Sequence, residues 1–312
     1  METRAVIDVG TNSVKLLVAS VEGRTIRPIV EESKQTRLGK GFYETHHLQR
    51  GAIAETAEAV SKFAETAREW NPAKIKIIAT SAARDASNKE ELVAALNEAT
   101  GLQITIISGE QEAEWVFQGV TTDASLAGRT LLVMDVGGGS TEFILGKGEH
   151  ASFSRSFRLG TVRFLEQINL SDPPSSEQLA ECEKKVRKLL ETEVQPLLAA
   201  EIKNLLSKGN TPPQLVATGG TASMLSRIEL QLRRYDRELM EQTILTNTLI
   251  QNEKKRLWGL PLEERKKIIG LPPNRADVIL TGVVIFDQVM NVFGFETLRV
   301  STRGLRFAAV MD

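Results

Sequence analysis

Residues 8–13 read Asp-Val-Gly-Thr-Asn-Ser, and residues 135–140 read Asp-Val-Gly-Gly-Gly-Ser. Each copy follows an apolar run, Ala5-Val6-Ile7 in the first and Leu131-Leu132-Val133-Met134 in the second, and each is followed by another apolar run. The pattern predicts strand, tight polar turn, strand, near the start of each half of the chain. A single Asp-Gly turn closes hairpins in many proteins. Two copies with the same spacing argue for a duplicated unit. A glycine turn flanked by Ser and Thr lets backbone N–H groups face an anion, because no Cβ blocks the approach. The aspartate at the strand end is suited to hold a cation or a water beside that anion.

Working outward, strands are expected at about 4–9, 14–21 and 25–33, with a polar loop over 34–47. Ile53, Ala57, Val60, Ala64 and Ala67 recur at helical spacing in a helix over 49–70. A strand over 75–79 leads into a loop through Ala86. Ser87 with Glu90, and Ser108 with Gln111, read as capping boxes that open two further helices. Beyond the second hairpin the spacing predicts a long charged helix over 176–200 and a short strand over 214–217. Helices over 243–268 and 274–292, a strand over 298–301 and a short terminal helix complete the reading. Alternating strands and helices make this an α/β protein. The expected domains are 1–126 and 127–312, with a cleft between them as the default binding site and the last residues packing back on the first domain.

Composition narrows the function. The 312 residues are too many for one small core, and 39 Lys and Arg against 40 Asp and Glu leave a net charge of −1. An anionic ligand therefore needs a local site rather than a global field, and neither nucleic acid nor a membrane is an expected partner. One cysteine, Cys182, rules out an internal disulfide, and with three histidines it makes a zinc site a poor expectation. The N-terminus lacks a signal-peptide pattern, and no apolar stretch reaches the roughly 18 residues that span a bilayer. A cytoplasmic protein is expected, and a homodimer stays open.

The candidate binding groups each have an ordinary alternative. Gly10, Thr11, Asn12 and Ser13 in one hairpin, and Gly137, Gly138, Gly139, Ser140 and Thr141 in the other, are candidate phosphate ligands. Gly219, Gly220 and Thr221, between a strand and a helix, form either a third anion site or a plain turn. Arg84 is a bidentate phosphate ligand or an ordinary surface arginine. Glu110, Glu112 and Glu114 complement a helix dipole equally well, so spacing singles out none of them as a base. Glu142 is an exposed strand residue or a metal-side carboxylate. The basic stretch 254–267 is a solvated helix face or a guide for a polyanion.

Taken together these segments resemble the exopolyphosphatase/guanosine pentaphosphate phosphohydrolase (Ppx/GppA) family of the actin–Hsp70–sugar kinase superfamily. The resemblance rests on both hairpins, on Thr36-Arg-Leu-Gly39, Ala79-Thr-Ser-Ala-Ala-Arg84, Ser108-Gly-Glu-Gln-Glu-Ala113, Leu159-Gly-Thr-Val-Arg163 and Gly219-Gly-Thr221. It implies two duplicated ribonuclease H-like (actin-like ATPase) domains flanking an interdomain cleft, in the short two-domain form. It implies release of terminal orthophosphate from polyphosphate, or 5′-hydrolysis of guanosine pentaphosphate, with Mg²⁺ or alternatively Mn²⁺. By the same resemblance Glu112 is the catalytic base, Asp135 and Glu142 are catalytic carboxylates on the metal side that help orient the water, Asp8 is their metal-side counterpart in the first half, and Arg84 contacts phosphate. Gln111 and Phe307 depart from the family's acids at those places. An ATP-dependent small-molecule kinase and a non-catalytic alarmone or polyphosphate sensor are the competing expectations.

Overall fold

The computed structural model describes all 312 residues. They divide into a first unit, Met1–Ala124 with Arg303–Asp312, and a second, Ser125–Thr302.

In the first unit β1 (Glu2–Val9) and β2 (Ser13–Glu22) pair antiparallel, with Val9 opposite Val14. β3 (Thr25–Gln35) adds antiparallel to β2, while β4 (Lys74–Ala79) and β5 (Ile104–Ile106) run parallel to β1. The order is β3-β2-β1-β4-β5. Central positions such as Val6, Ile7, Leu16, Leu17 and Val18 are fully buried, because both sheet faces are covered. The edge strand β3 instead exposes Arg27, Glu32 and other charges, which discourages pairing with another chain.

The second unit repeats this plan. β6 (Thr130–Val136), β7 (Thr141–Lys147) and β8 (His150–Phe157) form an antiparallel meander. β9 (Gln214–Thr218) runs parallel to β6, and β11 (Thr297–Val300) parallel to β9. A short β10 (Ile244–Thr246) is added at the edge, giving β10-β11-β9-β6-β7-β8. Without β10 the order and directions are those of the first sheet. This shared meander-plus-parallel topology is the ribonuclease H-like, actin-like arrangement, and it occurs twice.

The helices follow the apolar spacing, with instructive exceptions. α1 (Arg50–Arg68) buries Ile53, Val60, Phe63, Ala64 and Ala67. The expected loop after β4 contains a helical turn, α2 (Ser81–Asp85). Ser87 does not cap α3 (Lys89–Thr100); its hydroxyl donates to the His46 carbonyl at 2.8 Å. The N-cap is Asn88, whose amide is spent on both backbone groups of Leu48. Long-range tethering thus displaces the local box. Ser108 does cap α4 (Gly109–Val120), accepting from Gln111 N–H at 3.1 Å.

In the second unit α5 (Thr161–Glu166) follows β8. The helix expected over 176–200 is α6 (Ser176–Leu189), opened by a Ser175/Gln178 capping box, then a π turn over 190–194 and α7 (Gln195–Ser207). α8 (Gly219–Glu229) follows β9. The basic stretch is not one helix. Thr246 caps α9 (Asn247–Trp258), and Gly259-Leu260-Pro261 ends it before a single turn at 262–265. Nor do all its basic residues share one solvated face, although Lys255, Arg256 and Lys267 are exposed. Arg265 is buried on backbone carbonyls, while Arg256, Lys266 and Lys267 pair with neighbouring glutamates.

Lys254 turns inward to α10 (Ile279–Phe293), 2.6 Å from the fully buried Asp287, and also reaches Glu183 on α6. Burial opposes the ammonium, but the hydrogen bonds it donates to Asp287 and Glu183 outweigh that and hold it above the ordinary lysine value. Cys182 lies beside this network, and burial pushes its thiol up to about 12, which fits a packing role. α11 (Leu305–Ala309) closes the first unit; its Phe307 is 1% exposed, so the departure seen in the sequence sits in packing. No helix is long and apolar enough to cross a membrane.

Candidate active site

The two hairpins turn in the same way. Gly10 N–H donates to the Ser13 carbonyl at 3.0 Å, and Gly137 N–H to the Ser140 carbonyl at 2.9 Å. In both, a later segment takes the turn's carbonyls. Asn12 C=O accepts from the N–H groups of Thr36 and Arg37, and Thr11 C=O from that of Gly39. Gly137 C=O accepts from Thr161 N–H, Gly138 C=O from Val162 and Arg163 N–H, and Gly139 C=O from Arg163 Nε at 2.8 Å. Peptide planes pinned through their carbonyls direct their N–H groups the other way. The N–H groups of Gly138, Gly139 and Ser140 have no acceptor in the protein, nor do those of Thr11 and Asn12. A run of such donors is an anion-binding concavity.

Gly160 makes the second bracing contact fit. A Cβ there would lie 2.3 Å from Gly139 C and 2.4 Å from Gly138 O. Gly160 and Arg163 were legible only as parts of a motif, without a role. Thr36 and Gly39 do the corresponding work in the first unit.

Strand register sets the carboxylates. Asp135 is directly opposite Glu142 across β6 and β7, and Glu142 is opposite Ser156 across β7 and β8. Opposed residues share one face of a sheet. Glu142 is 2% exposed, not an exposed strand residue. Its Oε1 accepts from Ser140 Oγ at 2.8 Å and Ser156 Oγ at 2.7 Å. The Ser140 hydroxyl is therefore engaged, and what this residue offers outward is its amide. Thr141 is wholly buried and its hydroxyl donates to the Leu159 carbonyl, so its side chain braces the turn.

On the other side of β6, Gly219 and Gly220 begin α8, whose N-cap Thr218 makes no side-chain cap. Gly219 has φ +90°, and a Cβ there would stand 2.2 Å from Asp135 Oδ1. Only glycine permits that backbone and that approach together. Thr221 is buried with its methyl against Gly282 of α10, which locks α8 on the core.

In the first unit the ends of adjacent parallel strands present the other groups. Arg84 leaves α2 after β4, and Glu112 stands in the first turn of α4 after β5. Arg84 Nη1 donates to Glu112 Oε2 at 2.9 Å and to the Ile107 carbonyl at 3.2 Å. This partnership distinguishes Glu112 from Glu110 and Glu114, which spacing alone could not do. Carboxyl ends of parallel strands are the usual ligand-binding side of such sheets.

Asp8 is 7% exposed, and its Oδ1 has no hydrogen-bond partner. Burial raises its carboxyl above the ordinary value, partly countered by the charges of Lys15 and Arg306. The register places Lys15 opposite Asp8, where the second hairpin has Glu142 opposite Asp135. Nowhere do three or more His, Cys, Asp or Glu side chains converge as a metal cluster. The orphaned Asp8 oxygen, and separately the Asp135–Glu142 pair, are nevertheless donors of the type that hard divalent cations take.

Two ribonuclease H-like units, each carrying a pinned glycine hairpin with outward amides, define an actin-like protein. The comparisons agree. The model of the Ppx/GppA phosphatase family matches residues 17–311, and the chain belongs to that family. It is similar to exopolyphosphatase 2 of Mycobacterium tuberculosis, 30% identical over 95% of this chain and 94% of that one. It is also similar to the guanosine-5′-triphosphate,3′-diphosphate pyrophosphatase of Vibrio cholerae, 28% identical over 99% of this chain and 58% of that one. Among solved structures, the Aquifex aeolicus Ppx/GppA enzyme superposes with a TM-score of 0.78 at 30% identity, covering 99% of each chain. A Cytophaga hutchinsonii exopolyphosphatase gives 0.86 at 26% identity, covering 98% of this chain and 96% of that one.

Proposed function

We propose that this protein is a hydrolase of terminal phosphoanhydride bonds, acting on inorganic polyphosphate, guanosine pentaphosphate or both. The observation that carries the reading is the unbroken run of unpaired N–H groups at Gly138, Gly139 and Ser140 beside the Asp135–Glu142 pair. A phosphate chain is the anion such a run accepts, and the names of the two relatives above support the substrate class.

In this reading the amides of 11–12 and 138–140 bind phosphate oxygens. Arg84, drawn from its contact with Glu112, adds a charged donor. Glu112 orients the attacking water and accepts its proton, a contribution of about 10²–10⁴-fold. Asp8, Asp135 and Glu142 are the carboxylates that would hold Mg²⁺, or Mn²⁺ in its place. A divalent cation neutralises phosphate charge, on which phosphoryl transfer chiefly depends.

The test is phosphate release by the pure protein from short polyphosphate, long polyphosphate, guanosine pentaphosphate and ATP, in Mg²⁺ and in Mn²⁺. Orthophosphate from one of the first three, without an added acceptor, is expected. Binding without release would make the protein a sensor, and transfer of the γ-phosphate of ATP only to an acceptor would make it a kinase.

A further inference from the structure

We infer that Ser156, on the edge strand β8 and outside the glycine hairpin, is the fixed positioning residue for Glu142. The inference rests on the hydrolase reading above.

Two hydroxyls donate to the same oxygen of Glu142, Ser140 at 2.8 Å and Ser156 at 2.7 Å. They sit on different kinds of backbone. Ser140 belongs to the turn whose amides face the ligand, so its hydroxyl is carried by backbone that adjusts to what binds there. Ser156 sits in a strand paired with β7 from Thr141↔Phe157 to Lys147↔His150. Its Cα is held by the ladder whatever the turn binds. When the turn adjusts to a ligand, Ser156 is a donor that stays in place and keeps the Glu142 carboxylate oriented.

The row Asp135–Glu142–Ser156 makes this role specific. All three are directly opposed across β6, β7 and β8, so Ser156 is the outermost support of a carboxylate pair on one sheet face. Glu142 is 2% exposed, so water cannot readily replace a lost donor. Donors that orient ligating carboxylates typically matter 10–100-fold in metal affinity or activity when removed. Ser156 is an otherwise unremarkable serine in a polar strand, Ser-Phe-Ser-Arg-Ser-Phe at 152–157, and spacing alone gives it no distinction.

The experiment compares Ser156→Ala and Ser156→Thr with the unmodified chain. It measures melting temperature, Mn²⁺ affinity by titration calorimetry, and kcat and KM for phosphate release. Ser156→Ala is expected to stay folded with a melting temperature lowered by a few degrees at most, to bind Mn²⁺ about tenfold more weakly or worse, and to lose roughly 10–100-fold in kcat with KM within about twofold. Ser156→Thr keeps the hydroxyl on a residue well suited to strands and is expected to restore both values. Parental Mn²⁺ affinity and kcat in Ser156→Ala overturn the inference, and so does a folded Ser156→Thr that fails to rescue. If the parent releases phosphate from no substrate, the hydrolase reading fails by itself, and the Mn²⁺ titration still decides whether Ser156 positions Glu142.

Discussion

Arg84 Nη1 lies 2.9 Å from Glu112 Oε2, joining residues 28 apart in sequence at the ends of neighbouring parallel strands. The expected phosphate ligand and the expected base are one ion pair, with side chains 23% and 11% exposed. The pair holds each group in place until a phosphate competes for the guanidinium. Glu112→Gln should retain substrate binding and lose about 10²–10⁴-fold in kcat. Arg84→Lys keeps the charge but not the planar fork. A lost charge-assisted hydrogen bond is worth about 1.5–3 kcal/mol, so KM should rise roughly 10–100-fold. Steady-state phosphate release with polyphosphate separates the two patterns.

Asp8 should trade stability for function. Its folded carboxyl is raised by burial, so the folded state holds the proton more tightly than the unfolded chain. The stability linked to this group is full below the ordinary carboxyl value of 3.8 and is lost as pH rises through the folded value. At pH 7 the titratable carboxyl of Asp8 is therefore a cost relative to a neutral side chain. Asp8→Asn, melted without divalent metal, should gain about 0.5–2 kcal/mol at pH 7, and the gain should vanish near pH 3.5. Added Mg²⁺ should raise the melting temperature of the parent more than that of the variant. Equal melting curves for the two chains at pH 7 would contradict the burial argument.

Gly160→Ala tests the bracing of the glycine turn. The new methyl meets the backbone of Gly138 and Gly139 at 2.3–2.4 Å, so the turn must move. Phosphate release should fall at least about tenfold, since misplacement by about 1 Å can cost 10²-fold. Gly51→Ala, in α1 with nothing within 4 Å of the added carbon, is the control and should stabilise by up to about 1 kcal/mol.

Lys254→Met should unfold the second unit more easily. It strips the cation from fully buried Asp287 and from Glu183, a change that costs about 3–5 kcal/mol. The double variant Lys254→Met/Asp287→Leu should recover most of the loss. Urea denaturation of the three chains measures both effects.

Much of this was legible along the chain, for local reasons. The hairpins were readable because a continuous apolar run on either side of a short polar glycine turn reads as strand, turn, strand, and their repetition implied two sheets of one plan. Breakdowns came where distant residues overrule local signals. Ser87 looks like a cap, but the His46 carbonyl takes its hydroxyl. The basic run 254–267 looks like a charged face, but Lys254 is drawn to Asp287 across the core. Ser156 became visible only through the register of β7 on β8.

The chain by itself determined that tight turns form at 10–13 and 137–140, while the later segments that pin their carbonyls decided which way the amides face. Glycine at 137–139 and at 10 admits the tight bend. Tertiary structure decided which carboxylates matter. Glu112 is buried with Arg84 Nη1 2.9 Å from its carboxylate while Glu110 and Glu114 are exposed, and Glu142 is buried with two hydroxyls donating to one oxygen. Side-chain chemistry is written in sequence, but the role of an ionisable group depends on burial and partners, and those are set by contacts between segments remote along the chain.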